Sequence, residues 1–241
     1  RDRSVSRGLG DVYKRQKESK GNMYEFVTHT WNPIKGKCLH GCTYCYMKKM
    51  CSRLNAPRLD AAELTSYLEC SNFIFVGSSI DMWAEDIPSD WIRIVLDCCN
   101  KAANKYLFQS KNPSRILEFI THPVFHRSVA CTTIETNRSY PDVMCNSPVI
   151  EERVRAMEKI ADLGIETYVT LEPLMQFDLD ELVGYIKRCK PKQVNLGRNT
   201  NRKIEIPEPT ADEVKALVAE LGKFAKVEIK KNARIWSVSY T

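Results

Sequence analysis

The sequence predicts an α/β fold, a partial (β/α)6 TIM-like barrel of parallel strands. Three observations lead there. Short runs rich in β-branched and aromatic residues alternate six times with longer segments at helical spacing. The runs are largely apolar and carry few charges, as strands covered on both faces do. A length of 241 residues with 43% apolar content suits one α/β core. Right-handed crossovers between successive strands favour an open barrel, with a doubly wound sheet as the competing architecture.

Taken in order, the expected strands are 24–30, 72–77, 105–109, 128–133, 166–171 and 193–196. The expected helices are 46–54, 61–69, 89–104, 113–120, 150–163 and 179–189, with a last one at 211–224. Ser89 is placed to N-cap the third helix, and Pro113, after Asn112, opens the fourth in its first turn. Gly164 follows the fifth as a C-cap, and Thr210 offers its hydroxyl to the start of the last.

Both ends read as something other than protein. Residues 6–16, SRGLGDVYKRQ, match the in-frame translation of a transposase adapter from sequencing libraries, and SVSYT at 237–241 fits the opposite strand of its end. Residues 1–16 and 237–241 are therefore expected to be adapter sequence around a single domain, 17–236, with Met23 a candidate start and room for a truncated C-terminus. Setting aside the first sixteen residues removes five basic side chains (Arg1, Arg3, Arg7, Lys14, Arg15) and two acidic ones (Asp2, Asp11), so +6 becomes +3. So small a basic balance is no case for nucleic-acid binding. Without a signal peptide or an 18-residue apolar run, the chain is expected to be cytoplasmic, with no membrane partner and its thiols reduced.

Reduced cysteines that cluster point to metal. Cys38, Cys42 and Cys45 form a C-x3-C-x2-C pattern in WNPIKGKCLHGCTYCYMKK, on the loop after the first strand. Cys51, Cys70, Cys98, Cys99, Cys131, Cys145 and Cys189 are scattered and read mostly as small buried hydrophobes. Three thiolates on one tight loop can each bind a different iron of a 4Fe–4S cube and leave the fourth iron open. An open iron can chelate the amino and carboxylate groups of S-adenosylmethionine (SAM), whose reductive cleavage releases a 5′-deoxyadenosyl radical. Gly36 and Gly41 relax the backbone near the cube, and Pro33 stiffens the way in.

The triad, with Tyr44 before its last cysteine, resembles the radical SAM superfamily signature. With Asn32, Pro33, His40 and Tyr46 it is similar, more narrowly, to uncharacterised radical SAM-type proteins of phages and bacteria that share a Trp-Asn-Pro lead-in, and more distantly to spore photoproduct lyase. TLEPL at 170–174 continues the first likeness; Lys37 departs from it as an extra residue between Gly36 and Cys38. The resemblance implies an external electron donor such as flavodoxin or ferredoxin. It also implies SAM contacts from Ser78, Ser79 and Asp81 at the methionyl amino group, Glu135 at the ribose, and Tyr44 and Tyr46 beside the adenine. The Gly-Gly-Glu form usual at the first of these places is absent.

Two other readings of the cysteines stay open. A zinc site of Cys38, Cys42 and Cys45 with His40 or Cys51 would make a binding module without catalysis, although no second ligand pair lies downstream. A redox dithiol at Cys42 and Cys45 leaves Cys38 without a purpose.

A (β/α) barrel builds its site at the C-terminal ends of its strands. The sequence offers Ser78, Ser79, Asp81, Glu85 and Asp86 there; then Gln109, Ser110 and Lys111; then Thr133, Glu135, Asn137 and Arg138; then Glu172; then Asn195, Arg198 and Asn199. Any one of these could cap a helix or answer its dipole. Together they suit a SAM site, so Thr133, Glu172 and Asn195 join the expected contacts, and Asp81, Glu135 and Glu172 are expected to share one cavity with the cluster. For the substrate, a nucleic acid is allowed by Lys48, Lys49, Lys111, Arg115, Arg198 and Arg202, and a peptide equally so.

Overall fold

The computed structural model describes residues 17–18, 23–50, 55–201 and 203–236; the adapter-like ends, Cys51 and Arg202 lie outside the described residues, as does the side chain of Lys49. The strands are β1 (Lys17–Glu18), β2 (His29–Trp31), β3 (Ile34–Lys35), β4 (Arg58–Leu59), β5 (Phe73–Val76), β6 (Lys105–Ser110), β7 (Ser128–Thr133), β8 (Glu166–Leu171), β9 (Gln193–Leu196) and β10 (Lys226–Ile229). The helices are α1 (Tyr46–Met50), α2 (Ala61–Leu64), α3 (Ser89–Asn100), α4 (Ser114–Leu117), α5 (Pro141–Met144), α6 (Ile150–Asp162), α7 (Leu179–Arg188) and α8 (Ala211–Leu221).

One sheet runs β1-β2-β5-β6-β7-β8-β9-β10, with β1 antiparallel to β2 and every other pairing parallel. The parallel strands sit side by side in chain order with no reversal. That is the winding of a barrel and not of a doubly wound sheet, and β1 and β10 form the two edges of the sheet. The expected barrel is therefore present, with a seventh strand added. β10, KVEI, escapes the sequence pattern because its charged, half-exposed residues suit an edge.

Alternation along the strands sorts their side chains into two cores. Ile74, Val76, Phe108, Ala130, Val169, Leu171 and Val194 face outward and pack beneath the helices. Phe75, Leu107, Val129, Cys131 and Tyr168 face the bore. The bore is stoppered by the segment expected as the first strand. Residues 24–27 turn instead of extending, with Val27 N bonding Tyr24 O, and only residues 29–31 pair. Phe26 stacks on Tyr24 at 5.2 Å and meets Phe73 at 5.0 Å and Tyr168 at 5.4 Å. An open barrel leaves apolar bore surface that these rings cover, so packing overrides their strand propensity.

Several helices are shorter than expected: α2 stops at Leu64, α3 at Asn100, α4 at Leu117 and α8 at Leu221. Ser89 is not the cap of α3; Pro88 holds that place, and the Ser89 hydroxyl accepts from Arg115. Gly164 does follow α6 with φ +81°, and Thr210 forms a capping box with Glu213. Among the described residues no helix is long and apolar enough to cross a membrane.

Candidate functional site

The cysteine loop leaves β2 at the C-terminal face, and each residue of its lead-in has a partner. Trp31 is buried and donates to Glu63 O at 3.0 Å. Asn32 Oδ1 accepts from Ser79 N (2.9 Å), Ser79 Oγ (3.0 Å) and Ser78 Oγ (3.2 Å), clamping the ends of β2 and β5 together. Gly36 has φ +136°, and a Cβ there would stand 2.7 Å from Ala56 O. No other residue fits that close approach.

Cys38 and Cys45 are half-buried and Cys42 is buried, and all three line one cavity of about 1430 Å³. Burial pushes the Cys38 thiol up to about 12, against hydrogen bonds from the backbone N–H groups of Asp81 and His40. Cys42 Sγ lies 3.2 Å from Ser147 Oγ. α5 and the segment after it brace the loop: Thr43 N donates to Val143 O in α5, and beyond the helix Asn146 N donates to His40 O and Asn146 Nδ2 to Leu39 O. Cys145, in that segment, is exposed and lines the cavity, and Cys70 is exposed too, so neither is the buried hydrophobe expected.

Asp81 is enclosed by donors. Its carboxylate accepts from Trp83 N (3.0 Å), Ser110 Oγ (3.0 Å), Lys111 N (2.8 Å) and His40 Nε2 (2.8 Å). Burial alone would raise its pKa, but the bond to His40 and the other donors outweigh that and hold it below the usual range. His40 is buried between Cys38 and Cys42, and its Nδ1 has no hydrogen-bond partner.

Glu135 is wholly buried and does not reach the cavity surface. It accepts from the Tyr44 hydroxyl, from Lys111 Nζ at 3.1 Å and from Arg153 Nη1 at 2.8 Å. Burial opposes its charge, yet Arg153 and Lys111 overcome that and hold its pKa at about 2. Thr133 and Asn195 are likewise behind the wall; Thr133 Oγ1 accepts from Gln109 Nε2, and Asn195 Oδ1 from Gln193 Nε2. The expectation that Asp81, Glu135 and Glu172 share the lining is met by the first and last alone. Buried Arg153 and Lys111, which borders the cavity, draw Glu135 inward, away from the open space.

Glu172, just after β8, lines the same cavity. Lys230 Nζ reaches it at 2.5 Å and Asn232 Nδ2 at 3.3 Å. A Cβ on Gly197 would stand 2.6 Å from the Glu172 side chain, so the glycine makes room for this carboxylate. Lys230 also lies 4.4 Å from the Tyr24 ring centre, whose hydroxyl donates to Gln109 at 2.8 Å. Lys230, Asn232 and Tyr24 were not legible as site residues, because the seventh strand and the stopper place them, nor was Arg153, which reaches the site from the first turn of α6. Tyr46 stands half in solvent at the rim with its hydroxyl on Ser78 O. Of the six basic residues expected near phosphates, Lys48, Lys111 and Arg198 line the cavity. Arg115 instead serves Ile87 O, Glu85 O and Ser89.

Among the described residues no three His, Cys, Asp or Glu side chains converge on a point that could hold a metal ion. A cube differs from a single ion in asking each thiolate to meet a separate iron, so its cysteines surround a volume. The donor set fits such a group: three cysteines on one loop, backbone N–H groups at Cys38, and an orphaned buried nitrogen on His40.

The family model whose description is "protein of unknown function (DUF5131)" matches residues 22–183, which take in the loop, Glu135 and Glu172. The chain belongs to the DUF5131 family. No curated protein matches this DUF5131 chain in sequence. In fold it resembles radical SAM enzymes. A cysteine-to-serine variant of spore photoproduct lyase superposes with a TM-score of 0.64 at 10% identity, covering 88% of this chain and 79% of the lyase. A further lyase variant, with bound AdoMet and dinucleoside spore photoproduct, gives 0.55 at 10% identity over 85% and 64%. Streptococcus suis SuiB bound to precursor peptide SuiA gives 0.56 at 10% identity over 83% of this chain and 48% of SuiB, so the DUF5131 chain spans about half that enzyme.

Proposed function

We propose that this DUF5131 chain is a radical SAM enzyme in which Cys38, Cys42 and Cys45 hold a 4Fe–4S cluster with one open iron. One observation carries the reading: a C-x3-C-x2-C loop at the C-terminal mouth of an open parallel barrel, lining one large cavity with polar strand ends. When bound, the cluster and SAM would supply a 5′-deoxyadenosyl radical after one-electron reduction by an external donor such as flavodoxin or ferredoxin. The fold shared with a lyase bound to AdoMet supports this, at 10% identity.

The chain's own residues divide the work. Asn32 fixes Ser78 and Ser79 at the edge of the cavity, and Asp81 anchors the loop through its His40. Glu172 and Lys230 present one carboxylate and one ammonium on the wall of the same cavity, a set suited to a zwitterion such as the methionyl end of SAM, and Asn232 steadies the carboxylate from behind. Tyr46 offers an aromatic face at the rim. The volume exceeds the roughly 300–1,000 Å³ of a one-ligand pocket, which leaves room for a substrate beside SAM. Lys48 and Arg198 on the wall suit an anionic substrate such as a nucleic acid.

Anaerobic reconstitution with iron and sulfide should give a brown protein with about four irons per chain. Adding SAM and a strong reductant should yield 5′-deoxyadenosine without substrate, and Ala at any of the three cysteines should abolish both. A colourless protein that takes up one zinc instead would overturn the reading.

A further inference from the structure

We propose that Glu135 is a positioning residue for the cysteine loop, acting through Tyr44, with Lys111 and Arg153 as its fixed counter-charges. Its purpose rests on the cluster reading above, but its geometry does not. Tyr44 sits between Cys42 and Cys45, is buried, and spends its hydroxyl on Glu135. Glu135 Oε1 also meets Lys111 and Oε2 meets Arg153, so neither oxygen is left for a ligand.

The three partners come from three places: the loop, the residue after β6, and the first turn of α6. Arg153 extends the web by donating to Thr133 O at 2.9 Å and to Pro148 O at 2.7 Å. Pro148 adjoins Ser147, which touches Cys42 Sγ. The loop is thus held from two directions, at Tyr44 and at Cys42, by groups that share one guanidinium. Lys111 Nζ also stands 5.1 Å from the centre of the Tyr44 ring.

One buried carboxylate between buried Arg153 and Lys111 at the cavity wall leaves a net positive charge beside the loop. Three thiolates on a cluster are anionic, so this charge lies where it favours their binding. Apolar residues of equal volume would often serve stability as well as a buried ionic web does. Fixed geometry is what the web adds.

The test uses the protein's own thiols. Apo-protein is pulsed with iodoacetamide under anaerobic conditions, and each cysteine is quantified by peptide mass spectrometry. Tyr44→Phe keeps the ring and removes only the hydroxyl. It should raise the alkylation rate of buried Cys42 roughly tenfold, the effect of one lost bond to a charged group. Glu135→Gln should do the same, and the double variant should be no faster than the faster single one, because both act on a single link. Cys99, Cys131 and Cys189, buried in other elements, should stay protected. An unchanged Cys42 rate, additive effects, or a parallel rise at Cys99 and Cys131 would overturn the proposal, the last marking general loosening. Should Glu135→Gln fail to fold, Tyr44→Phe decides alone. Iron content of the same variants after reconstitution gives a second readout. If the wild-type chain takes up no iron, the functional reading falls while the alkylation pattern still judges the anchor.

Discussion

The two ends of the bore are built from the same strands and the same face, and they do opposite things. At the lower end Leu107, Val129 and Tyr168 meet the stopper of Tyr24, Phe26 and Val27, and water is shut out. Two residues further along, the same alternation delivers Gln109, Cys131 and Thr170, and beyond them the charged groups at Lys111, Glu135 and Glu172. Burying one large apolar side chain stabilises by about 1.5–3 kcal/mol. A buried polar group at best offsets its own desolvation. The lower end therefore holds the barrel together, and the upper end draws on that stability to keep charges out of water.

Breaking the upper end should cost most. Arg153→Met leaves Glu135 buried with one cation, and thermal or urea unfolding should register a loss of about 4 kcal/mol together with lost iron uptake. Equal stability in that variant would show that Arg153 is not needed to hold the Glu135 charge. Next in size, Leu107→Ala opens a cavity at the lower end and should cost about 3 kcal/mol by the same measurement. Iron content per folded chain should stay at the wild-type value; a fall there would join the two ends that the comparison separates. The smallest effect on stability is expected at Glu172→Gln, about 1 kcal/mol, since its pair with Lys230 is partly open to water. Its signature is selective: weaker SAM binding by calorimetry and slower release of 5′-deoxyadenosine, with iron intact.

How much of this was readable in advance differs by residue. The strands at 128–133, 166–171 and 193–196 match their expected limits, because central strands of a parallel sheet are buried on both faces and hold β-branched and uncharged residues over nearly their whole length. The first strand did not, since Tyr24 and Phe26 satisfy the same propensity whether they pair or fill a hole. β10 did not either, its pattern being that of an exposed edge. Asn32 was legible as part of a motif, but its three bonds to Ser78 and Ser79 were not.

By itself the sequence determined the cysteine triad, the parallel βα order and the set of polar residues at the strand ends, because each is a matter of local spacing or periodicity. Only the tertiary structure decided which of those polar residues face open space. Tyr44 meets Glu135 across 91 positions and His40 meets Asp81 across 41. Two cations, one just after β6 and one in α6, close on Glu135 and leave Glu172 to line the cavity. A carboxylate's role depends on whether burial and counter-charge have already claimed its oxygens, and those partners come from elements that chain proximity does not connect.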